Sequence, residues 1–241
     1  MILQTTDRLV HVARILREEV EALRFKPPVA HVYNPLNYAW DAHEIYLRRF
    51  GHGVKNTLFI GMNPGPFGMM QTGVPFGEIA AVRDWMGIKT SISKPVGEHA
   101  KRPILGFDCP RSEVSGKRVW GLFAQRFGRP ENFFAGHFVV NYCPLAFLQE
   151  SGANFTPDKL PHAESKLLFD VCDEHLRETM TILQPKWVIG IGAFATSRVE
   201  AAAHHLPVKI GQILHPSPAS PAANRDWAGK AAEQLEKLGV W

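Results

Sequence analysis

Apolar side chains at Leu9, Val12, Ala13, Leu16, Val20 and Leu23, with charged residues between them, predict an amphipathic helix over residues 7–24. Pro27 and Pro28 end it, because proline lacks an amide hydrogen and blocks the preceding turn. Tyr33-Asn34-Pro35-Leu36-Asn37 reads as an irregular link into a shorter helix over residues 43–50. Four apolar runs read as strands, at residues 57–61, 138–143, 187–192 and 208–214. Helical patterns occupy 80–86, 117–127, 160–183 and 193–205, and 227–238 closes the chain. Parallel strands need crossover connections, usually helices, so this alternation predicts an α/β fold. The expected architecture is a three-layer α/β/α sandwich with a central, mostly parallel four-stranded sheet. No linker-like break interrupts the chain, so residues 1–241 are expected to form one domain. In such sheets ligands bind beyond the carboxyl ends of the strands.

Composition adds limits. Hydrophobic residues at 45% and charged residues at 21% suit a chain that buries a real core, which sets disorder aside. No apolar run approaches bilayer length, and the first seven residues lack the basic-then-apolar pattern of a secretory leader, so no membrane partner is expected. Cys109, Cys143 and Cys172 are scattered and odd in number, which fits a reducing compartment and falls short of an iron–sulfur ligand set. The net charge of +4 is a mild bias toward a polyanionic partner, without any long basic run.

Three strand candidates lead at once into unusual segments. The stretch 61–77, GMNPGPFGMMQTGVPFG, packs five Gly and three Pro around the strongly polar Asn63. That composition makes sense where backbone shape itself matters, as in a rigid loop facing a ligand. A plain strand-to-helix turn would account for the cluster taken alone. His215-Pro216-Ser217-Pro218-Ala219-Ser220-Pro221 alternates proline with small residues and is stiff and extended, either as a surface connection or as a probe for a groove. Asn141, at the end of its strand, would by itself be an ordinary backbone hydrogen-bonder.

Taken together and in order, GMNPGPFGMMQTGVPFGEIAAVRDWMGI, DCPRSEVSGKR, NYCPLAF and HPSPASPAAN closely resemble the single-strand-selective monofunctional uracil-DNA glycosylases. The resemblance runs from about Tyr38 to the C-terminus and implies an enzyme of base excision repair. It would flip uracil or a 5-substituted uracil from single- or double-stranded DNA and hydrolyse the N-glycosidic bond. The family pattern implies that Asn63 positions the attacking water and that His215 stabilises charge developing on the base O2. It implies that Asn141 reads the uracil edge, an amide being able to accept from N3–H while donating to O4. Phe76 corresponds to the stacking aromatic, and Met62, Gly65 and Phe67 would supply backbone around the pocket. Uracil-specific relatives carry Tyr at the position of Gly65, so Gly implies space beside C5 for a substituent or a water. The loop from His215 to Arg225 corresponds to the minor-groove wedge, with Ser217, Ala219, Ser220, Asn224 and Arg225 toward DNA. Vertebrate members carry Arg where this chain has Ala219, which puts the strength of the wedge in question. The resemblance implies no cofactor and no metal, a monomer, and a place in the nucleus or the nucleoid-associated cytoplasm.

Competing patterns are weaker. Gly190-Ile191-Gly192-Ala193-Phe194-Ala195 fits a dinucleotide-binding G-x-G-x-x-A turn, but no acidic residue follows about twenty positions on to hold a ribose. His43-Glu44 begins a zinc-binding helix motif, yet Leu47 stands where the second ligand belongs. There is no G-x-S-x-G elbow or phosphate-loop motif, and neither motif loop holds a lysine for a lyase step. A DNA-binding module without catalysis remains as the second reading, against which the pair Asn63 and His215 stands.

Overall fold

The computed structural model describes residues 4–241; Met1, Ile2 and Leu3, part of the stretch read for a leader, lie outside it. In chain order the helices are α1 (Thr5–Glu21), α2 (Pro35–Tyr38), α3 (Trp40–Phe50), α4 (Met69–Thr72), α5 (Val114–Phe127) and α6 (Pro130–Gly136), then α7 (His162–Leu183), α8 (Ala193–Ala202) and α9 (Pro221–Leu238). The strands are β1 (His31–Tyr33), β2 (Thr57–Gly61), β3 (His137–Asn141), β4 (Ala146–Leu148), β5 (Asn154–Phe155), β6 (Trp187–Ile191) and β7 (Lys209–Ile213).

The central sheet has the order β3-β2-β6-β7 and every neighbour pair is parallel. Strand β2 is buried along its whole length and β6 over its last four residues, as expected where helices cover both faces. The helices fall into two packed groups, α1, α7 and α8 on one side and α5, α6 and α9 on the other. This is the expected α/β/α architecture. The chain leaves β2 for β3 on one side, then crosses to β6 on the other, so the strand order reverses at β2. Connections diverge there, and a crevice opens beyond the strand ends.

Element ends differ modestly from the hydrophobic pattern. The closing helix expected from Trp227 is present: Asp226, with extended backbone, breaks α9, and its Oδ1 accepts from Gly229 N–H at the start of the second segment, while a short helical stretch from Pro221 precedes it. The stretch expected as a helix over 80–86 is a single π-turn at Ala81–Trp85. A second, antiparallel sheet of order β1-β4-β5 was not expected. Its strands hold two or three residues each, too few for any alternation to show. Among the described residues no helix is long and apolar enough to cross a membrane.

Candidate active site

Beyond the ends of the parallel strands lies a cleft of about 660 Å³, lined by the loop after β2, by Asn141, by Gly192 and by His215. Register explains the convergence: Gly61 at the end of β2 pairs with Asn141 at the end of β3. Gly61 has no side chain for a reason. A Cβ there would lie 2.5 Å from Phe76 Cε2 and would also meet Asn141 Oδ1. The missing methyl lets an aromatic ring and an amide share the strand end.

Phe76 holds its ring there at φ 51°, a left-handed backbone that an aromatic residue rarely adopts. Trp120 Nε1 donates to the carbonyls of Pro75 and Phe76, and Glu78 N–H donates to Phe76 O, so several bonds hold the unfavourable conformer. Gln71 secures the preceding turn with all of its amide capacity: Nε2 donates to Pro66 O and Pro103 O, while Oε1 accepts from Leu105 and Gly106 N–H. From behind, a buried His43 ring nitrogen bonds Gly73 O at 2.8 Å, and Tyr38 Oη donates to Met70 O. His43 is therefore a brace for the loop, its pKa pushed down to about 4 by burial.

Asn63 is half-buried, with Nδ2 donating to Leu145 O at 3.1 Å, which fixes the amide and leaves Oδ1 available toward the cleft. Asn141 is buried, and its Nδ2 rests on Met69 Sδ at 3.2 Å. A thioether is a weak acceptor, so this amide retains most of its hydrogen-bonding capacity for a ligand.

His215 packs against Gly192, where a Cβ would lie 3.0 Å from His215 Cβ. Burial lowers its pKa, so the ring is neutral near pH 7. Ser217 N–H donates to Nδ1 at 3.1 Å, which assigns the proton of the neutral ring to Nε2. The glycines of the G-x-G-x-x-A turn thus have local causes. Gly190 admits Thr196 of α8 at close range, and Gly192, at φ +92°, gives room to His215.

The residues that the resemblance assigns to a wedge form the outer lip. Pro218 and Ala219 are exposed, and Ala219 N–H donates to Ser217 Oγ. Arg118 of α5, which no sequence pattern singles out, ties the loop down by donating to Pro216 O at 2.7 Å and Asn224 Oδ1 at 3.0 Å. Asn224 Nδ2 in turn donates to Pro218 O. Ser220 precedes α9, and Arg225 is exposed on its second turn. Met62, Gly65, Phe67, Phe76, Asn63, Asn141, His215 and Ser217 all line the cleft, whereas Ala219, Ser220, Asn224 and Arg225 lie outside it.

The expected free space at Gly65 needs correction. A Cβ there would fall onto Glu113 Oε1, and one at Gly68 onto Glu113 Oε2. The room left by the glycine is taken by a carboxyl from the start of α5. Glu113 stands at the N-cap of α5, and its side chain makes no capping bond.

The chain matches the Uracil DNA glycosylase superfamily over residues 50–237. A strand-end cleft with two amides, a neutral histidine and an aromatic floor thereby acquires a class. The chain is 48% identical over 227 residues to the rat single-strand selective monofunctional uracil-DNA glycosylase, covering 93% of this chain and 82% of that one. For the bovine protein of the same name the identity is also 48%, covering 93% and 84%. The chain belongs to the uracil DNA glycosylase superfamily and, within it, to the single-strand-selective monofunctional family. The fold is also that of the crystal structure of wild-type Pedobacter heparinus SMUG2, with a TM-score of 0.70 at 16% identity over the whole of both chains.

Proposed function

We propose that this protein is a monofunctional glycosylase that releases uracil, and 5-substituted uracils such as 5-hydroxymethyluracil, from single- or double-stranded DNA. The observation that carries this reading is the meeting of Asn63, Phe76, Asn141 and His215 in one strand-end cleft. A base turned out of its strand stacks on Phe76, whose flat face accepts any pyrimidine. Asn141 then selects: accepting from N3–H and donating to O4 fits uracil, and cytosine presents the reverse pattern. As the glycosidic bond lengthens, negative charge gathers on the departing base. The Nε2–H of neutral His215 is the donor for that charge at O2, in a buried site where a preset dipole acts strongly. Asn63 orients a water toward the anomeric carbon. An amide is a poor base, which suits a reaction in which bond breaking runs ahead of water attack.

At the mouth of the cleft, the lip from Ser217 to Arg225 faces the strand. Exposed Arg225 and the Ser hydroxyls would meet phosphates, and Ala219 would stand where the base has left the stack. The test is incubation with oligonucleotides carrying uracil or 5-hydroxymethyluracil, single-stranded and paired, followed by alkali. Strand breaks that appear only after alkali are the expected result. Breaks without alkali would show a lyase step, and intact strands after alkali would favour the binding module without catalysis.

A further inference from the structure

We propose that Arg111 and Arg102, gathered on the ring of Phe67 at the rim of the cleft, clamp a backbone phosphate beside the flipped nucleotide, equally on single-stranded and paired DNA. This rests on the glycosylase reading above and adds to it two residues which that reading did not use.

Position comes first. The Arg111 guanidinium lies 3.8 Å from the centre of the Phe67 ring and that of Arg102 lies 5.8 Å from it, so one half-buried aromatic side chain gathers two cations. Phe67 and Arg111 line the cleft, and Arg111 is exposed there. Phe67 belongs to the loop that leaves β2, whereas the lip from Ser217 onward follows β7, and β6 lies between the two strands. A nucleotide whose base enters the cleft leaves its sugar and phosphates at the mouth, so the strand passes both rims.

Their bonding state comes second. Stacking on a ring uses the face of a guanidinium and leaves its in-plane N–H groups to form a fork. Among the described residues no acceptor takes a bond from the Arg111 side chain, and neither arginine has an ion-pair partner. Arg102 donates through Nη1 to Lys101 O at 3.3 Å, and its Nε is enclosed without a partner. Arginines elsewhere are matched, Arg48 by Asp7 and Glu44, and Arg198 by Asp173. The acid nearest Arg111 in sequence, Glu113, packs on Gly65 and Gly68, and burial followed by repulsion from Glu78 raises its pKa to about 7, so it is only partly charged at neutral pH. Two cations held on one ring without a counter-charge repel each other, and an anion with several oxygens relieves that repulsion.

A phosphate suits this arrangement. Its oxygens accept the guanidinium fork side by side, a geometry that a lysine does not reproduce. Phe67 already carries a guanidinium on one face, so its ring serves the arginine rather than a base. Phosphates are present whether or not the strand is paired, and this contact therefore adds the same affinity to both forms. The lip acts differently, because filling a vacated stack matters only in duplex. Hold on a single strand, where the lip has little to fill, falls to the clamp.

The experiment compares the wild type, Arg111→Ala, Arg102→Ala and Arg111→Lys on single-stranded and paired oligonucleotides over a range of salt. It reads the half-saturating concentration for single-turnover uracil release and, with strands carrying a stable abasic analogue, equilibrium binding. A further set of single strands carries one neutral methylphosphonate at each phosphate in turn around the uracil. Arg111→Ala is expected to weaken binding by about five- to tenfold on both forms and to lower the single-strand salt slope by about 0.7. Arg102→Ala should act in the same direction by about two- to fivefold. At one position the methylphosphonate should cost the wild type as much as Arg111→Ala does, and cost that variant almost nothing more, which identifies the phosphate held. Arg111→Lys should restore the salt slope but only part of the affinity, since a point charge lacks the fork, and it covers the case in which an alanine variant does not fold. Unchanged binding in Arg111→Ala, a loss confined to duplex, or methylphosphonate losses that add fully to that of Arg111→Ala at every position would overturn the clamp. Binding does not require base release, so a wild type that binds through Arg111 yet releases no uracil would instead sink the glycosylase reading.

Discussion

The loop after β2 and the loop after β7 are both rich in proline, and both face the cleft, yet they are held in different ways. Residues 68–79 of the first are all buried, and their backbone is tied by Gln71, Thr72, His43, Tyr38 and Trp120. In the second, Pro218 and Ala219 are exposed, and the loop depends on Arg118, Ser217 and Asn224. A surface that recognises one flat base gains from being formed in advance, since ordering it on binding would subtract from affinity. A lip that meets a strand of varying shape has less need of fixed geometry. Proline is therefore used twice for different ends: inside, to set a shape among buried partners, and outside, to keep a short loop extended with few partners.

Breaking the inner half should have the larger consequences. Asn63→Ala is expected to slow base release by about a thousandfold while keeping most DNA affinity, because the amide acts on water and not on phosphates. Single-turnover rates beside a binding titration test this, and affinity falling in step with rate would reassign Asn63 to binding. His215→Ala should cost about a hundredfold in release, the range for one donor at a developing negative charge. Near-normal turnover would remove His215 from the chemistry and leave it as a filler against Gly192.

The outer half should respond more gently, and chiefly on paired DNA. Arg118→Ala frees the carbonyl of Pro216 and the amide of Asn224, each exchanging a charge-assisted bond for water. Release from duplex is expected to fall by about tenfold and release from single strands by much less, since only duplex requires the vacated stack to be filled. An equal loss on both would mean that Arg118 supports His215 rather than the lip. Ala219→Arg should have the smallest effect, a gain of about two- to fivefold on duplex over single strands. If the gain instead comes from one more phosphate contact, both substrates should improve and the duplex salt slope should steepen by about one unit.

The same contrast explains what the sequence disclosed. Strands β2, β3, β6 and β7 were visible because buried parallel strands are continuous apolar runs, and α1 and α7 because one face of each is apolar. Asn63 and His215 stood out because glycine and proline mark the turns that carry them. Glu113, Arg118 and Trp120 were hidden for the opposite reason. Each sits in or beside a helix with ordinary neighbours, and its importance arises only when a distant segment folds against it: Gly65 meets Glu113, and Pro75 meets Trp120. The β1-β4-β5 sheet was hidden by its shortness. The π-turn at Ala81–Trp85 had the spacing of a common helix, and Glu78 caps it with Oε2 in a way that spacing does not reveal.

The left-handed backbone at Phe76 carries one more implication, for how this protein changes over generations or under laboratory selection. Glycine at that position would relax a conformation that costs roughly 1–3 kcal/mol for a residue with a side chain. On the proposed function it would also remove the ring on which the base rests. Heat resistance and catalysis therefore set opposite selection pressures on a single codon. A library screened only for thermal survival would drift toward discarding the aromatic, and one screened for repair would retain the strain.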